Sequence, residues 1–125
     1  MIKQSLIRIY KAFGYSKQGL KSAYQNERAF KEEVWLLVIA IILGVVLNIT
    51  VIEKFALVAV VLLMMIVELL NSAIEAVVDR IGPEHHELSG RAKDMGSAAV
   101  LLAGALVCCV WGYIIIGYIC TLLSN

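Results

Sequence analysis

Four polar side chains interrupt an apolar stretch of the sequence at helical spacing: Glu68, Asn71, Glu75 and Asp79. At about 100° of rotation per residue, they fall within roughly 80° of one another on one face of a helix. Carboxylates on one face can bind a divalent cation, and a carboxylate held away from water can take a proton from a hydroxyl group. These four residues, named here the polar stripe, therefore predict a site for metal-assisted or general-base chemistry.

The polar stripe belongs to a chain that is too apolar to bury its hydrophobic side chains in a soluble core. The 125 residues are 61% hydrophobic and include one proline, and the mean hydropathy is +0.85. Three runs have the length of about 20 residues that a membrane helix needs: 34–52, 55–78 and 95–123. We expect one all-α membrane domain over residues 1–125, in which residues 1–33 are amphipathic and juxtamembrane.

Basic residues are distributed unevenly along this domain. Seven precede residue 34, one lies in the connection 53–54, three lie within 79–94, and none follows. Because loops rich in Lys and Arg remain cytoplasmic, the N-terminus is predicted inside and the C-terminus outside. The basic N-terminal segment lies beside a predicted span, where anionic lipid headgroups are its natural partner, so we expect no nucleic-acid partner.

The N-terminal segment contains two helical patterns. Residues 2–13 have apolar side chains at helical spacing with basic ones beside them, which predicts a helix in the membrane interface that ends at Gly14. A second pattern over residues 20–34 places Glu27 on a face with apolar neighbours. Glu27 either forms a surface ion pair with Lys31, four residues further on, or belongs to the site acids.

The place of the polar stripe along its helix indicates its depth in the bilayer. With Phe55 at the outer edge, Glu68 lies about 20 Å inward, and Glu75 reaches the cytoplasmic boundary of the hydrocarbon. An ion pathway needs polar groups toward the outer face too, but residues 55–67 are all apolar. The polar stripe therefore suits chemistry between a water-soluble reactant and a lipid headgroup, or else a structural contact between helices.

Nearby charged residues narrow the predicted chemistry. Glu27 and the acids within 84–94 add oxygen ligands of the kind that Mg²⁺ prefers together with phosphate oxygens. Arg91 and Lys93 can neutralise phosphate charge, so the combination indicates phosphoryl transfer. The sequence has no GxxxxGK[ST] loop and no GxGxxG or HRD kinase pattern. A nucleotide site must therefore be built from helix faces and the 79–94 segment.

The segments ELLNSAIEAVVDR and ELSGRAKDMGSAAV, with RIYKAFGYSKQGL upstream, give the chain a strong resemblance to the bacterial integral-membrane diacylglycerol kinases. The resemblance covers nearly the whole sequence. It implies a three-span enzyme of the bacterial inner membrane, with an amphipathic surface helix, that works as a homotrimer with sites shared between subunits. It also implies transfer of the γ-phosphate of MgATP to diacylglycerol, which gives phosphatidic acid and ADP.

The same resemblance implies roles for individual residues. Glu68 matches the catalytic base, and Asn71 matches its close neighbour in the motif. Glu27 and Glu75 match the glutamates that bind Mg²⁺. Positions around the nucleotide are Arg8, Tyr15, Glu27, Glu75, Glu84, His85, His86, Lys93 and Asp94. Positions at the lipid site are Arg8, Ala12, Phe13, Gly14, Phe30, Glu33, Glu68, Ser97 and Trp111.

One loop departs from the family pattern. The sequence GPEHHEL has Pro83 and His85 where the family reads G-x-E-Y-H-E-L. His85 either lies in a solvated loop that tolerates exchange or changes how adenine is held. Related small membrane kinases of similar layout phosphorylate polyprenol, so an undecaprenol kinase is the alternative within this class. A non-enzymatic membrane oligomer or a transporter is the alternative from another class.

Overall fold

The computed structural model describes residues 2–124, with side chains from Gln4 onward. Four α-helices follow one another: α1 Ile2–Asn26, α2 Arg28–Val46, α3 Val51–Ile81 and α4 Glu87–Ser124. No β-strand occurs within that range, so the predicted all-α class is confirmed.

Helix α3 lies at the centre of the structure. It packs against α2 on one side and α4 on the other, whereas α1 contacts mainly α2. The connections 47–50 and 82–86 are short, so each joins two antiparallel neighbours. The most deeply buried apolar side chains are Ala40, Leu57 and Val61, each 0% exposed.

Two of the described helices, α3 and α4, are long and apolar enough to cross a membrane. Their 31 and 38 residues give each helix more than the length needed to cross a bilayer core of about 30 Å at about 1.5 Å per residue. Helix α2 is shorter, because it stops at Val46 and residues 47–50 are not helical. Its first six residues include four charged ones, so its uncharged part is limited to residues 34–46.

The two ends of α3 are formed by different local structures. At its start the Glu53 N–H donates to Thr50 Oγ1 (3.3 Å), and the Glu53 carboxylate accepts from the Thr50 N–H (2.8 Å). This capping box satisfies N–H groups that the first turn leaves free. At its end Gly82 has φ 153°, a conformation that favours glycine, and Pro83 follows.

The predicted end of the first helix at Gly14 is wrong, because α1 continues to Asn26. One glycine inside a helix costs only about 1 kcal/mol relative to alanine, too little to end it. The break comes instead at Glu27, whose backbone is extended (φ −100°, ψ 118°). Lys31 Nζ donates to the Gln25 carbonyl oxygen (3.2 Å) at the end of α1. The described side chains form no Glu27–Lys31 ion pair.

Candidate active site

Three carboxylates, those of Glu27, Glu33 and Glu75, lie within electrostatic range of Glu68, and the four together are named here the carboxylate cluster. Glu68 of α3 is only 6% exposed, and Glu33 of α2 is only 4% exposed. Glu33 lies close enough to Glu68 for the two charges to interact. Glu27 and Glu75 also interact electrostatically with Glu68. The chain fold thus brings Glu27, from outside the polar stripe, to the stripe's deepest residue.

Asn71 connects the polar stripe internally. Its Nδ2 donates to Glu75 Oε1 (3.1 Å), one helical turn further along α3. Asn71 Oδ1 is buried and has no hydrogen-bond partner within the described chain, and the same holds for Glu33 Oε2. The Glu75 side chain is only half-buried, so packing alone does not fix its orientation. The hydrogen bond from Asn71 restricts that orientation.

The fourth member of the polar stripe has a partner that the sequence analysis missed. Lys93 Nζ of α4 donates to Asp79 Oδ1 (2.7 Å), which joins the C-terminal end of α3 to the N-terminal end of α4. Lys93 lies outside the predicted spans, and its hydrogen bond to Asp79, the Asp79 charge and the Glu75 charge raise its pKa. The sequence does contain a signal for this pair: an acidic residue near the end of one predicted helix and a basic residue near the start of the next, with a short loop between them.

A cavity of about 550 Å³ lies between α1 and α3 beside Glu27. Its wall includes small side chains: Ser16, Gly19, Ala23, Ser72, Ala73 and Ala76. This volume is within the range of about 300–1,000 Å³ that small-molecule sites have. None of these residues was predicted to belong to a site. The sequence signal that could have predicted this cavity is the four-residue spacing of small residues on two helices.

The loop 82–86 holds three residues that the resemblance assigns to the nucleotide. Glu84, His85 and His86 are exposed and line a separate cavity of about 450 Å³. His86 Nδ1 accepts from the Leu88 N–H (3.2 Å), so this imidazole also caps the start of α4. Neither alternative for His85 is decided by these contacts.

Most of the other predicted site residues are exposed within one chain. Arg8, Ala12, Phe13, Gly14 and Tyr15 lie on the exposed N-terminal half of α1, and Asp94 and Ser97 are exposed on α4. Trp111 lies 18 residues beyond Lys93, about 27 Å along the helix. Its Nε1 donates to the Leu57 carbonyl oxygen (3.2 Å). Phe30 is buried, at 3% exposure.

Comparison of the sequence with known proteins identifies its family. The profile of the prokaryotic diacylglycerol kinase family matches residues 14–115. The diacylglycerol kinase of Escherichia coli K12 is 55% identical over 104 residues, which cover 83% of this chain and 85% of that protein. The corresponding protein of Haemophilus influenzae is 57% identical over 101 residues, with coverage of 81% and 86%. That of Pseudomonas aeruginosa is 46% identical over 112 residues, with coverage of 90% and 91%. The matched region contains every residue of the carboxylate cluster, and the chain belongs to the prokaryotic diacylglycerol kinase family.

Proposed function

We propose that this protein is an ATP-dependent lipid kinase that transfers the γ-phosphate of ATP to the free hydroxyl group of diacylglycerol, which gives phosphatidic acid and ADP. Membership of the family supports the reaction. One observation carries the mechanism: the buried Glu68 lies in an apolar helix, close to the partly exposed Glu27 and Glu75. A lipid hydroxyl and a water-soluble nucleotide can both reach this cluster.

Glu68 is the proposed general base. Phosphoryl transfer depends mainly on positioning and on stabilising charge, while a base takes the proton of the attacking hydroxyl. The hydroxyl oxygen forms a bond to the γ-phosphorus as its proton passes to Glu68, and the bond from that phosphorus to the bridging oxygen breaks to release ADP. Glu68 is buried between helices, so water competes poorly with the lipid hydroxyl there.

Glu27 and Glu75 are the proposed ligands of the Mg²⁺ that accompanies ATP. No group of three His, Cys, Asp or Glu side chains in residues 4–124 is arranged to hold a metal. A pair of carboxylates still fits this ion, because Mg²⁺ is usually held by one or two carboxylates together with substrate phosphates and water. When bound, the ion neutralises charge on the phosphate oxygens. The donor chemistry of Glu27 and Glu75 therefore suits Mg²⁺.

Lys93 supplies the positive charge for the transferred phosphate. Its ammonium group lies at the inner end of the helix pair, bonded to Asp79 and within electrostatic range of Glu75. A phosphate placed against Glu75-bound Mg²⁺ would therefore come close to Lys93. Asp79 keeps the lysine side chain in this position.

The membrane arrangement follows the same proposal. Helix α2 joins α3 and α4 as a third span in the bacterial inner membrane, because it packs along α3 and its residues 34–46 are uncharged. Helix α1 lies in the cytoplasmic interface, with the N-terminus inside and the C-terminus outside. A reporter fused within the 47–50 connection should report the outer side, and a cytoplasmic signal there would overturn this topology.

A homotrimer is proposed because one chain does not complete the site. The predicted ligands on the N-terminal half of α1 are exposed, and many large apolar side chains of α2 to α4 face outward. A neighbouring subunit can cover these faces and bring its own residues to the carboxylate cluster. Mass measurement in mild detergent should give three times 13.7 kDa of protein, and a mass of one chain would contradict the trimer.

The substrate assignment is tested with purified protein in mixed micelles. The protein is incubated with γ-³²P-labelled ATP and either diacylglycerol or undecaprenol, and the labelled lipid is separated and counted. Labelled phosphatidic acid is the expected product. Label in undecaprenyl phosphate alone would identify the alternative kinase, and no labelled lipid would support the non-enzymatic alternatives. Glu68→Gln protein gives the background.

A further inference from the structure

Helices α3 and α4 approach each other closely beside the proposed metal ligand Glu75, where Gly96 faces Asn71. Gly96 of α4 is buried, and a Cβ built on it would overlap Asn71 Oδ1 and come within 3.3 Å of Asn71 Cγ. Other glycines of α4 do not share this constraint, because a Cβ at Gly112 or Gly117 meets nothing within 4 Å. The space that Gly96 leaves is therefore occupied by one particular side chain.

The orientation of the Asn71 amide is set by its partner on α3. A carboxylate only accepts hydrogen bonds, so the amide nitrogen must face Glu75, as the 3.1 Å Nδ2–Oε1 bond has it. The amide oxygen then turns toward α4 and lies against Gly96. It has no hydrogen-bond partner in the described chain. One bond and one steric contact thus define the position of Asn71.

We infer that Gly96 is a positioning residue for the metal site: its missing side chain lets Asn71 lie between α3 and α4 and hold the Glu75 carboxylate in the orientation that binds Mg²⁺. This inference rests on the metal role proposed for Glu75. Gly96 acts through Asn71 and touches neither reactant. The chain of contacts runs from Gly96 to Asn71 and from Asn71 to Glu75.

The structure indicates how an added methyl group at Gly96 would be accommodated. Either α4 moves away from α3 along their shared interface, or the Asn71 side chain rotates. Rotation disturbs less, because the atom in the way is the end of a flexible side chain and its oxygen makes no hydrogen bond. The interaction lost is then the bond from Asn71 Nδ2 to Glu75. The fold should survive, while the Glu75 carboxylate becomes free to reorient.

The size of the expected effect follows from similar metal sites. Loss of a hydrogen bond that orients a metal-binding residue typically weakens metal affinity by about 10- to 100-fold. We therefore expect Gly96→Ala to weaken divalent metal binding by about 10-fold or more. Gly117→Ala is the matched control, because the same methyl group is added to the same helix in open space.

The test uses Mn²⁺ as a paramagnetic probe for the Mg²⁺ position. The full-length protein in detergent, with a non-hydrolysable ATP analogue, is titrated with Mn²⁺ and followed by electron paramagnetic resonance. Variants are Gly96→Ala, Asn71→Ala, the double variant Gly96→Ala with Asn71→Ala, Glu75→Gln and Gly117→Ala. Mass and thermal unfolding are measured for each, so that loss of assembly is separated from loss of metal affinity.

The expected pattern is weaker Mn²⁺ binding in Gly96→Ala and Asn71→Ala, and unchanged binding in Gly117→Ala. The double variant should match Asn71→Ala, because Gly96 has no further route to the metal. It also restores space, so it answers the question even if Gly96→Ala fails to assemble. Additional weakening in the double variant, or parental affinity in an assembled Gly96→Ala protein, overturns the inference. Parental affinity in Glu75→Gln overturns instead the metal role of Glu75 on which it rests.

Discussion

The two halves of α3 differ in the hydrogen bonding and burial of their polar groups. In the N-terminal half, residues 51–67, which is the outer half in the proposed topology, two side chains make stabilising hydrogen bonds: Glu53 in the capping box, and the Trp111 indole, which donates to the Leu57 carbonyl oxygen. In the inner half, residues 68–81, Glu68 is buried among other carboxylates and Asn71 Oδ1 has no partner in the described chain. The outer half therefore contains groups that stabilise the helix, and the inner half contains the polar groups of the proposed site.

Buried polar groups without partners carry a free-energy cost of about 1–3 kcal/mol each. A helix that only spanned a membrane would not retain them, because apolar residues serve that purpose better. The outer half of the same helix shows this, since Leu57 and Val61 are 0% exposed and carry no polar side-chain group. The contrast predicts that changes in the inner half alter activity and changes in the outer half alter stability.

This contrast can be tested first at the proposed metal ligands. Glu75→Gln or Glu27→Gln keeps the side-chain size but removes an anionic ligand, so the Mg²⁺ concentration for half-maximal activity should rise by about 10- to 100-fold. Activity is measured against Mg²⁺ at fixed total ATP. Glu32→Gln is the control, because Glu32 is exposed and pairs only with Arg28 on the surface. Equal Mg²⁺ dependence in all three variants would remove both glutamates from the site.

In the outer half, Leu57→Ala should lower the free energy of unfolding by about 2–5 kcal/mol, because it leaves a cavity at a fully buried position. Phe55→Ala, two residues away, should change it much less, since Phe55 is 76% exposed. Titration with a denaturing detergent measures the difference. The Leu57→Ala protein that remains folded should keep the parental Mg²⁺ dependence, and a raised requirement would show that the two halves are not separable.

A smaller effect is expected at the start of α3. Thr50→Ala removes the hydroxyl that accepts the Glu53 N–H and should cost about 1 kcal/mol of stability. Thr50→Ser keeps that hydroxyl and should retain parental stability. Thermal unfolding measures both. If the two variants are equally destabilised, the cap does not contribute through its hydroxyl group.

The smallest effect is expected at the inner ion pair. Asp79 raises the pKa of Lys93 above its usual value of about 10.4, so the contribution of the pair to stability is fully present below that pH and is lost only as pH rises through the higher folded-state pKa. Asp79→Asn should therefore lower the thermal midpoint slightly and equally at pH 6, 7.5 and 9. High salt should reduce the difference, because both side chains are solvent-accessible. A difference that changes between pH 6 and pH 9 would contradict this assignment.

Much of this contrast could be predicted from the sequence, because periodicity determines which residues share one helix face. The polar stripe, the apolar outer half of α3 and the all-α class depend only on spacing within one helix. The extended backbone at Glu27 did not follow from the sequence, because no proline or glycine marks the break. The Lys31–Gln25 bond depends on that break, so it could not be predicted either.

Contacts between helices also could not be predicted from the sequence. The Gly96–Asn71 approach and the Asp79–Lys93 bond depend on how far α4 is shifted along α3, and the sequence of neither helix determines that shift. The site residues on the N-terminal half of α1 came from the family resemblance, and one chain does not gather them. A site completed by a second subunit would explain this, and no periodicity within one chain can reveal it.

The most direct test of the account is the Glu68→Gln variant in an ATP-dependent diacylglycerol phosphorylation assay. Glutamine keeps the size of the side chain but cannot accept the proton, so turnover should fall by about 10²- to 10⁴-fold. Assembly, thermal stability and Mn²⁺ affinity should remain parental, because the proposed metal ligands are other residues. An assembled Glu68→Gln protein that phosphorylates diacylglycerol at a near-parental rate would contradict the central claim that this buried carboxylate is the base.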